Sequence, residues 1–218
     1  RDNKKGEARY YHLILLAENN EGYENLTKIV SRGFVDGFYY KPRVDFETLR
    51  EFSKGIIASS ACLAGEVARN LAVNRYEDAR EAALRYRDIF GADNFFLELQ
   101  DHGLSIQKAV NQQLIRLSRE TGIPLIATND IHYTNPEDWE AHDLLLCLQT
   151  GKKASDTDRM RYEGGQYYLK SEEEMRSLFA AVPEALENTA KIAARCEVEI
   201  RFHELKLPAY DVPEGYAD

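Results

Sequence analysis

The sequence predicts an α/β fold in which parallel strands alternate with helices. Four short apolar runs have the length of strands, and longer stretches with helical periodicity separate them. The strand runs are apolar almost throughout, which is typical of parallel strands covered on both faces. With 218 residues, the chain is long enough for one domain with a sizeable core, or for one domain and part of another.

The predicted strands share a high content of branched aliphatic and aromatic side chains. They are residues 12–17, 55–60, 94–99 and 124–129. We expect all four to be buried strands of one parallel sheet.

The predicted helices fill the intervals between these strands. They cover residues 21–31, 65–73, 76–90 and 105–121. Gly122 follows the last of them, where a glycine commonly ends a helix in the left-handed conformation.

After the fourth strand the pattern becomes mainly helical. Asn135 precedes Pro136 and two acidic residues, which predicts a helix start, and that helix should run to about Gln149. A polar loop then reaches Gly165, and a short strand is expected over 167–169.

Two further helices are predicted towards the end of the chain. Ser171 and Glu174 form a capping-box pattern that opens the first. Pro183 opens the second, which should end near Cys196, and the chain from Leu207 has the composition of a connector.

The composition excludes several classes of protein. No apolar run approaches the roughly 20 residues that cross a bilayer, so no membrane partner is expected. Cys62, Cys147 and Cys196 are odd in number and far apart, which argues against a disulfide framework and fits a reducing cytosolic setting. The net charge of −9 argues against a large DNA-binding surface, so any nucleic-acid contact must be local.

One local candidate for such a contact is the pair Lys41 and Arg43, which flank a proline beside Tyr39 and Tyr40. Basic and aromatic side chains together can bind single-stranded nucleic acid. The alternative is a solvated loop with buried rings, and the acidic net charge favours that alternative.

Residue types that bind metals follow three of the predicted strands. Cys62 follows the second, His102 the third, and Asp130 and His132 the fourth. Functional residues of parallel α/β folds gather beyond the carboxyl ends of the strands. Cysteine and histidine favour zinc, and aspartate also suits manganese, iron or magnesium.

Each of these four residues also has an ordinary explanation. A single cysteine is usually a core residue, a histidine after a strand is usually a hydrogen-bonding loop residue, and Asn-Asp is a common turn. Ligand types at three strand ends are harder to explain in this way, and they predict a metal site. His12 and His203 carry no comparable partner signal.

Three segments resemble successive motifs of the PHP (polymerase and histidinol phosphatase) domain of the bacterial DNA polymerase III alpha subunit. They are Ser60–Glu66, Phe96–Gly103 and Ala127–Tyr133. Residues 37–45 and 140–152 also resemble that subunit and distinguish it from stand-alone PHP phosphatases. Within the second of these, we interpret His142 and Asp143 as residues of packing or of a domain contact.

The resemblance implies a distorted (βα)7 barrel with up to three divalent metal ions, zinc, manganese, iron or magnesium, at the strand ends. It implies that Cys62, His102, Asp130 and His132 are four of the ligands. The remaining ligands of the family, including a His-x-His pair, have no match here, so the chain is expected to begin in mid-domain. Residues 1–165 would be the later part of the PHP domain, and residues 166–218 a helical transition towards a polymerase palm.

The resemblance also leaves the function of the domain open. The domain would either act as a metal-dependent 3′–5′ proofreading exonuclease or support the polymerase core, in contact with the rest of the chain, DNA and replisome subunits. The alternatives are a stand-alone PHP phosphoesterase and a non-catalytic module that folds around zinc. The polymerase aspartates would follow residue 218, so these residues alone are expected to be inactive.

Overall fold

The computed structural model describes residues 10–205, 207 and 211. Within them, helices and strands alternate over the first two thirds, as predicted, and helices dominate afterwards. The strands are β1 Ile14–Ala17, β2 Ile56–Ser59, β3 Phe95–Leu99 and β4 Leu125–Ala127. The α-helices are α1 Asn20–Val35, α2 Phe46–Glu51, α3 Glu66–Ala72, α4 Tyr76–Phe90, α5 Ser105–Thr121, α6 Trp139–Thr150, α7 Glu172–Leu178 and α8 Glu184–Arg195.

The four strands form one sheet in the order β1-β2-β3-β4. β2, β3 and β4 are parallel neighbours, and each is linked to the next by helices, so the α/β prediction is confirmed. This arrangement is that of consecutive βα units of a barrel.

β1 departs from the prediction in two ways. It runs antiparallel to β2, with Ala17 opposite Ile56, and its side chains at Ile14 and Leu16 are exposed rather than buried. Leu13 and Leu15, between them, pack against the core. The apolar run therefore has only one covered face among the described residues.

The antiparallel direction follows from the connection between β1 and β2. Helix α1 starts beside the end of β1, and Gly22 packs against the backbone of Gly55 so closely that a Cβ would lie 1.8 Å from its carbonyl oxygen. Sixteen helical residues carry the chain about 24 Å away. Residues 44–55, which include α2, return the chain to the end of the sheet where β1 finishes. β2 begins there and therefore runs antiparallel to β1.

The main core lies on the face of the sheet covered by α3, α4 and α5. Phe95, Leu97 and Leu99 of β3 point into it and are fully buried. The opposite face has a smaller apolar cluster in which Ile57, Phe96 and Ile126 meet Ile192 of α8. Because successive side chains of a strand point to opposite faces of the sheet, each face has its own apolar cluster.

The helix ends follow their sequence signals closely. Gly122 ends α5 with φ +72°, and Ser171 and Glu174 form the predicted capping box of α7. The Asn135 signal opens a 3₁₀ turn, Pro136–Asp138, that leads into α6. The strand expected at 167–169 is reduced to a single bridge between Tyr133 and Tyr168.

Residues after 166 pack on the strands that precede them. Asn188 of α8 donates to the carbonyl oxygen of Leu125, 2.8 Å away, and so occupies the free edge of β4. Arg195 pairs with Glu18 at the end of β1, with 2.9 Å between nitrogen and oxygen. The division proposed at residue 165 remains a prediction.

Candidate metal centre at the strand ends

Cys62 lies in a tight turn that follows β2. Ala61 has φ +59°, and Gly65 donates to the carbonyl oxygen of Cys62, 2.8 Å away. A Cβ at Gly65 would lie 2.0 Å from the carbonyl oxygen of Ser60, so only glycine allows this turn. The turn therefore fixes the position of the thiol.

His12 is the partner of this thiol. Its backbone N–H donates to the carbonyl oxygen of Ala64 at 3.1 Å, which joins it to the turn. Its Nδ1 then lies 3.5 Å from the Sγ of Cys62. Sequence reasoning missed this residue, because the two partners are fifty positions apart and α1 and α2 lie between them, so no local pattern reveals the contact.

Asp130 and His132 form a second pair beyond β4. The Asp130 backbone has φ +46°, in the left-handed region, and the Nε2 of His132 lies 3.3 Å from the Oδ1 of Asp130. The backbone N–H of His132 donates to the carbonyl oxygen of Tyr167 at 2.8 Å. The segment after β4 is thus held by the chain that follows α6.

His102 is in a different environment from the other three predicted ligands. It is 1% exposed, and its ring stacks on Tyr167 with centroids 4.0 Å apart. The side-chain oxygen of Gln107 accepts from the backbone N–H of His102, which orients the amide so that its N–H donates to Nδ1 at 2.9 Å. The Nε2–H then donates to the carbonyl oxygen of Asn129 at 2.7 Å.

These bonds assign both ring nitrogens of His102. Burial is the main cause that lowers its pKa, which keeps the ring neutral. To bind a metal, His102 would have to break one of the two bonds. In the observed arrangement it braces Asn129, next to Asp130, instead.

Aromatic rings fill the space around His132. Tyr162 contacts it with centroids 4.3 Å apart, and His142 of α6 lies 5.6 Å from it. Burial raises the pKa of the Tyr162 phenol, and the nearby charges of Asp130 and Cys62 raise it further. Tyr162 therefore contacts the second donor pair through His132 and keeps its proton at neutral pH.

His142 belongs to this ring cluster, as its interpretation as a packing residue anticipated. Burial lowers its pKa, and the neighbouring His132 lowers it further. Asp143, beside it, accepts two hydrogen bonds from Arg159 at 2.6 and 2.5 Å. That ion pair ties the loop after α6 back to the helix.

A buried carboxylate supports the same end of the sheet from below. Glu98 of β3 is almost fully buried and accepts hydrogen bonds from Ser59, from Thr128 at 2.5 Å and from Gln100 at 3.0 Å. It joins the ends of β2, β3 and β4. No sequence signal indicated it, since a glutamate within an apolar run does not reveal its partners.

The donor chemistry fits a divalent metal, since a thiol, imidazoles and a carboxylate are the ligand types of zinc and manganese. The described residues bring these donors together in two pairs, Cys62 with His12 and Asp130 with His132. Within the described part of the chain, no group of three or more His, Cys, Asp and Glu side chains is arranged to hold an ion. The ligand assignment remains a prediction.

The loop with Lys41 and Arg43 differs from the interpretation that the net charge favoured. Tyr39 and Tyr40 are exposed, not buried. The Tyr40 backbone has φ +61°, in the left-handed region. The nucleic-acid role of the two cations is untested by these observations.

Comparison with known proteins identifies the class to which this arrangement belongs. Residues 2–102 match the PHP domain family. In the described part of the chain, no helix is both long and apolar enough to pass through a membrane.

Over nearly its whole length, the chain is similar to DNA polymerase III subunit alpha of several bacteria. It is 48% identical to that of Borreliella burgdorferi over 93% of the chain, and 46% identical to that of Treponema pallidum over 96%. Identity with the Thermus aquaticus subunit is 39% over 98% of the chain. In each case the chain spans about 18% of the relative's length.

The resemblance indicated by the sequence motifs is therefore confirmed. Residues 2–102 match the PHP domain, and the chain as a whole is similar to the part of the DNA polymerase III alpha subunits that it spans. Asp130 and His132 lie beyond the residues matched to the PHP family but inside the region similar to the polymerase subunits.

Proposed function

We propose that this region binds divalent metal ions at the strand ends and acts, as part of a DNA polymerase III alpha subunit, in the 3′–5′ hydrolysis of DNA. The observation that carries the proposal is that side chains of metal-binding types form pairs beyond the strand ends. The Sγ of Cys62 lies 3.5 Å from the Nδ1 of His12, and the Oδ1 of Asp130 lies 3.3 Å from the Nε2 of His132. These four residues come from three separate parts of the chain, and the ring of Tyr162 contacts that of His132.

The proposed ligands are Cys62, Asp130 and His132 from the sequence motifs, with His12 added by its contact to Cys62. His102, the fourth predicted ligand, would join them by giving up one of its two ring hydrogen bonds, to Gln107 or to Asn129. Zinc or manganese suits this mixed donor set best. Bound divalent ions would supply an acidified water and would offset charge on a phosphodiester.

The protein's own groups have assignable parts in this chemistry. Tyr162 keeps its phenolic proton, so it can donate a hydrogen bond to a phosphate oxygen. His142 stays neutral because its pKa is lowered, so it adds no charge beside His132. Lys170 donates to the side-chain oxygen of Asn129 at 3.3 Å and helps to fix the residue before Asp130.

The test combines metal content with hydrolysis of a 3′-labelled DNA strand, both measured in an alpha subunit that contains this region, because these residues alone are expected to be inactive. The Cys62→Ser and Asp130→Asn variants should lose bound zinc or manganese on equilibrium dialysis, and they should lose hydrolysis with it. Cys196→Ser is the matched control, since Cys196 packs beside α8 with the second apolar cluster, and it should retain both. Metal retained by Cys62→Ser would contradict the ligand assignment.

The other functions predict different results in the same assay. Metal binding without hydrolysis, in protein that also unfolds on chelation, would indicate a structural zinc module. Hydrolysis of small phosphate monoesters but not of DNA would indicate a PHP phosphoesterase. Either result would overturn the proposed reaction and leave the metal site in place.

A further inference from the structure

The loop between α1 and α2 displays aromatic rings to solvent. Phe38 and Tyr39 are 57% and 54% exposed, and Tyr40 is 80% exposed. We call residues 37–43 the tyrosine loop. Three exposed rings in a row are costly in water, so they suggest a surface that meets a partner.

The tyrosine loop is held in shape by its own backbone. The Tyr39 N–H donates to the carbonyl oxygen of Lys41 at 3.1 Å. Gly37 lies so close to Arg43 that an added Cβ would be 1.8 Å from its carbonyl oxygen. The closed loop holds Tyr40 at φ +61°, an unfavourable conformation for a bulky side chain.

The charge of the tyrosine loop is opposite to that of the chain. Residues 37–43 contain Lys41 and Arg43 and no acid, whereas the whole chain carries −9. The nearest acids in sequence are engaged: Asp36 pairs with Arg32 at 3.8 Å, and Asp45 caps α2 by accepting from Thr48 at 2.9 Å. Cations beside exposed rings complement the phosphates and bases of a single strand.

A chain of contacts links the tyrosine loop to the candidate metal centre. The Nζ of Lys41 lies 5.6 Å from the centre of the Tyr10 ring, and that ring is stacked on His12 with centroids 6.5 Å apart. His12 contacts Cys62 at 3.5 Å. The loop is therefore at the same end of the sheet as the proposed ligands.

We infer that the tyrosine loop binds single-stranded DNA and leads it towards the metal centre. Tyr40 and Tyr39 stack on bases, and Lys41 and Arg43 contact the phosphates. This inference rests on the proposed function for its direction, but the binding itself requires no metal.

The test is the fluorescence anisotropy of a labelled single-stranded oligonucleotide, with chelator present so that no hydrolysis occurs. Tyr40→Gly removes the ring and accepts the same left-handed backbone, so the loop should keep its shape. Its affinity should fall about 10-fold, while Tyr40→Phe should bind within about 2-fold of the parent. Lys41→Ala should lower the dependence of log affinity on log salt by about one, while Lys108→Ala, an exposed control on α5, should leave it unchanged.

Several outcomes would overturn the inference. Unchanged affinity in Tyr40→Gly, or equal binding of a duplex whose bases are hidden, would contradict stacking. Activity lost in Tyr40→Gly without any change in DNA affinity would assign the loop to a protein partner. The ligand assignment can fail separately. If DNA binding depends on the tyrosine loop but the Cys62→Ser variant retains its metal, this inference is upheld and the ligand assignment is refuted.

Discussion

Glu98 offers the most informative single substitution in the sheet. Its carboxylate accepts from Ser59, Thr128 and Gln100 in the interior, and its own exposure is 6%. The Glu98→Gln variant keeps the shape of the side chain but replaces one acceptor oxygen with an amide donor. Either Ser59 or Thr128 then faces a donor instead of an acceptor.

The expected cost follows from that one lost acceptor. A buried donor left without a partner costs about 1–3 kcal/mol, and partial repacking brings the expectation to about 1–2 kcal/mol for Glu98→Gln. Thr128→Val removes one of the donors and should cost a similar amount. Because the side chains of Glu98 and Thr128 share a hydrogen bond, their effects should not be additive, and the double variant should be less destabilised than the sum by about 1 kcal/mol.

The assay is urea unfolding of the parent, the two single variants and the double variant, with the free energies compared in a cycle. Glu81→Gln, an exposed carboxylate on α4, is the control and should change stability by about 0.5 kcal/mol or less. Additive effects of Glu98→Gln and Thr128→Val, or a Glu98→Gln variant as stable as the control, would refute the role given to this network.

Three other predictions concern separate parts of the fold. Gly122→Ala should lower the free energy of unfolding by about 1 kcal/mol, measured by heat or urea. No atom lies within 4 Å of the added Cβ, so the cost comes from the left-handed backbone at φ +72° alone. An unchanged stability would contradict this left-handed helix end. Ile192→Ala should cost about 2–3 kcal/mol of unfolding free energy, because it leaves a cavity in the apolar cluster between α8 and the sheet. The control Ile200→Ala, at an exposed position, should cost about 0.5 kcal/mol or less. Equal effects would mean that α8 does not cover the sheet. The hydrogen bonds from Arg159 hold the pKa of the Asp143 carboxyl below its usual value in the folded protein. The pair therefore stabilises the fold above the usual carboxyl pKa, and this stabilisation is lost as the pH falls through the lowered pKa. Asp143→Asn should therefore flatten the acid limb of the stability curve, and an unchanged limb would contradict the pairing.

Local signals in the sequence located most of the helices and strands. The glycine after residue 121 and the capping box at Ser171 specify backbone geometry within a few residues, and both appear as predicted. The apolar run at 12–17 also forms a strand, but neither its direction nor its exposed face could be predicted. Both depend on the position at which the chain rejoins the sheet after α1 and α2, and the tertiary packing sets that position.

The surroundings of the candidate site could be predicted only in part, for a related reason. Motifs point to Cys62, His102, Asp130 and His132, which follow strands, and their role as ligands remains a prediction. The contacts of His12 and of Tyr162 arise between segments far apart in the chain, so no spacing could show them. The hydrogen bond between Gln107, one turn into the following helix, and the ring of His102 is likewise a property of the folded chain.

The proposed metal centre depends on Cys62 as a ligand at the strand ends. Titration of the purified protein with Co²⁺, followed by absorption spectroscopy, tests it directly, because only a bound thiolate produces sulfur-to-cobalt charge-transfer absorption. We predict that the band appears in the parent and in Cys196→Ser and is absent in Cys62→Ser. The ligand role of Cys62 would be contradicted if the band persisted in Cys62→Ser, or if the parent protein bound cobalt without showing the band.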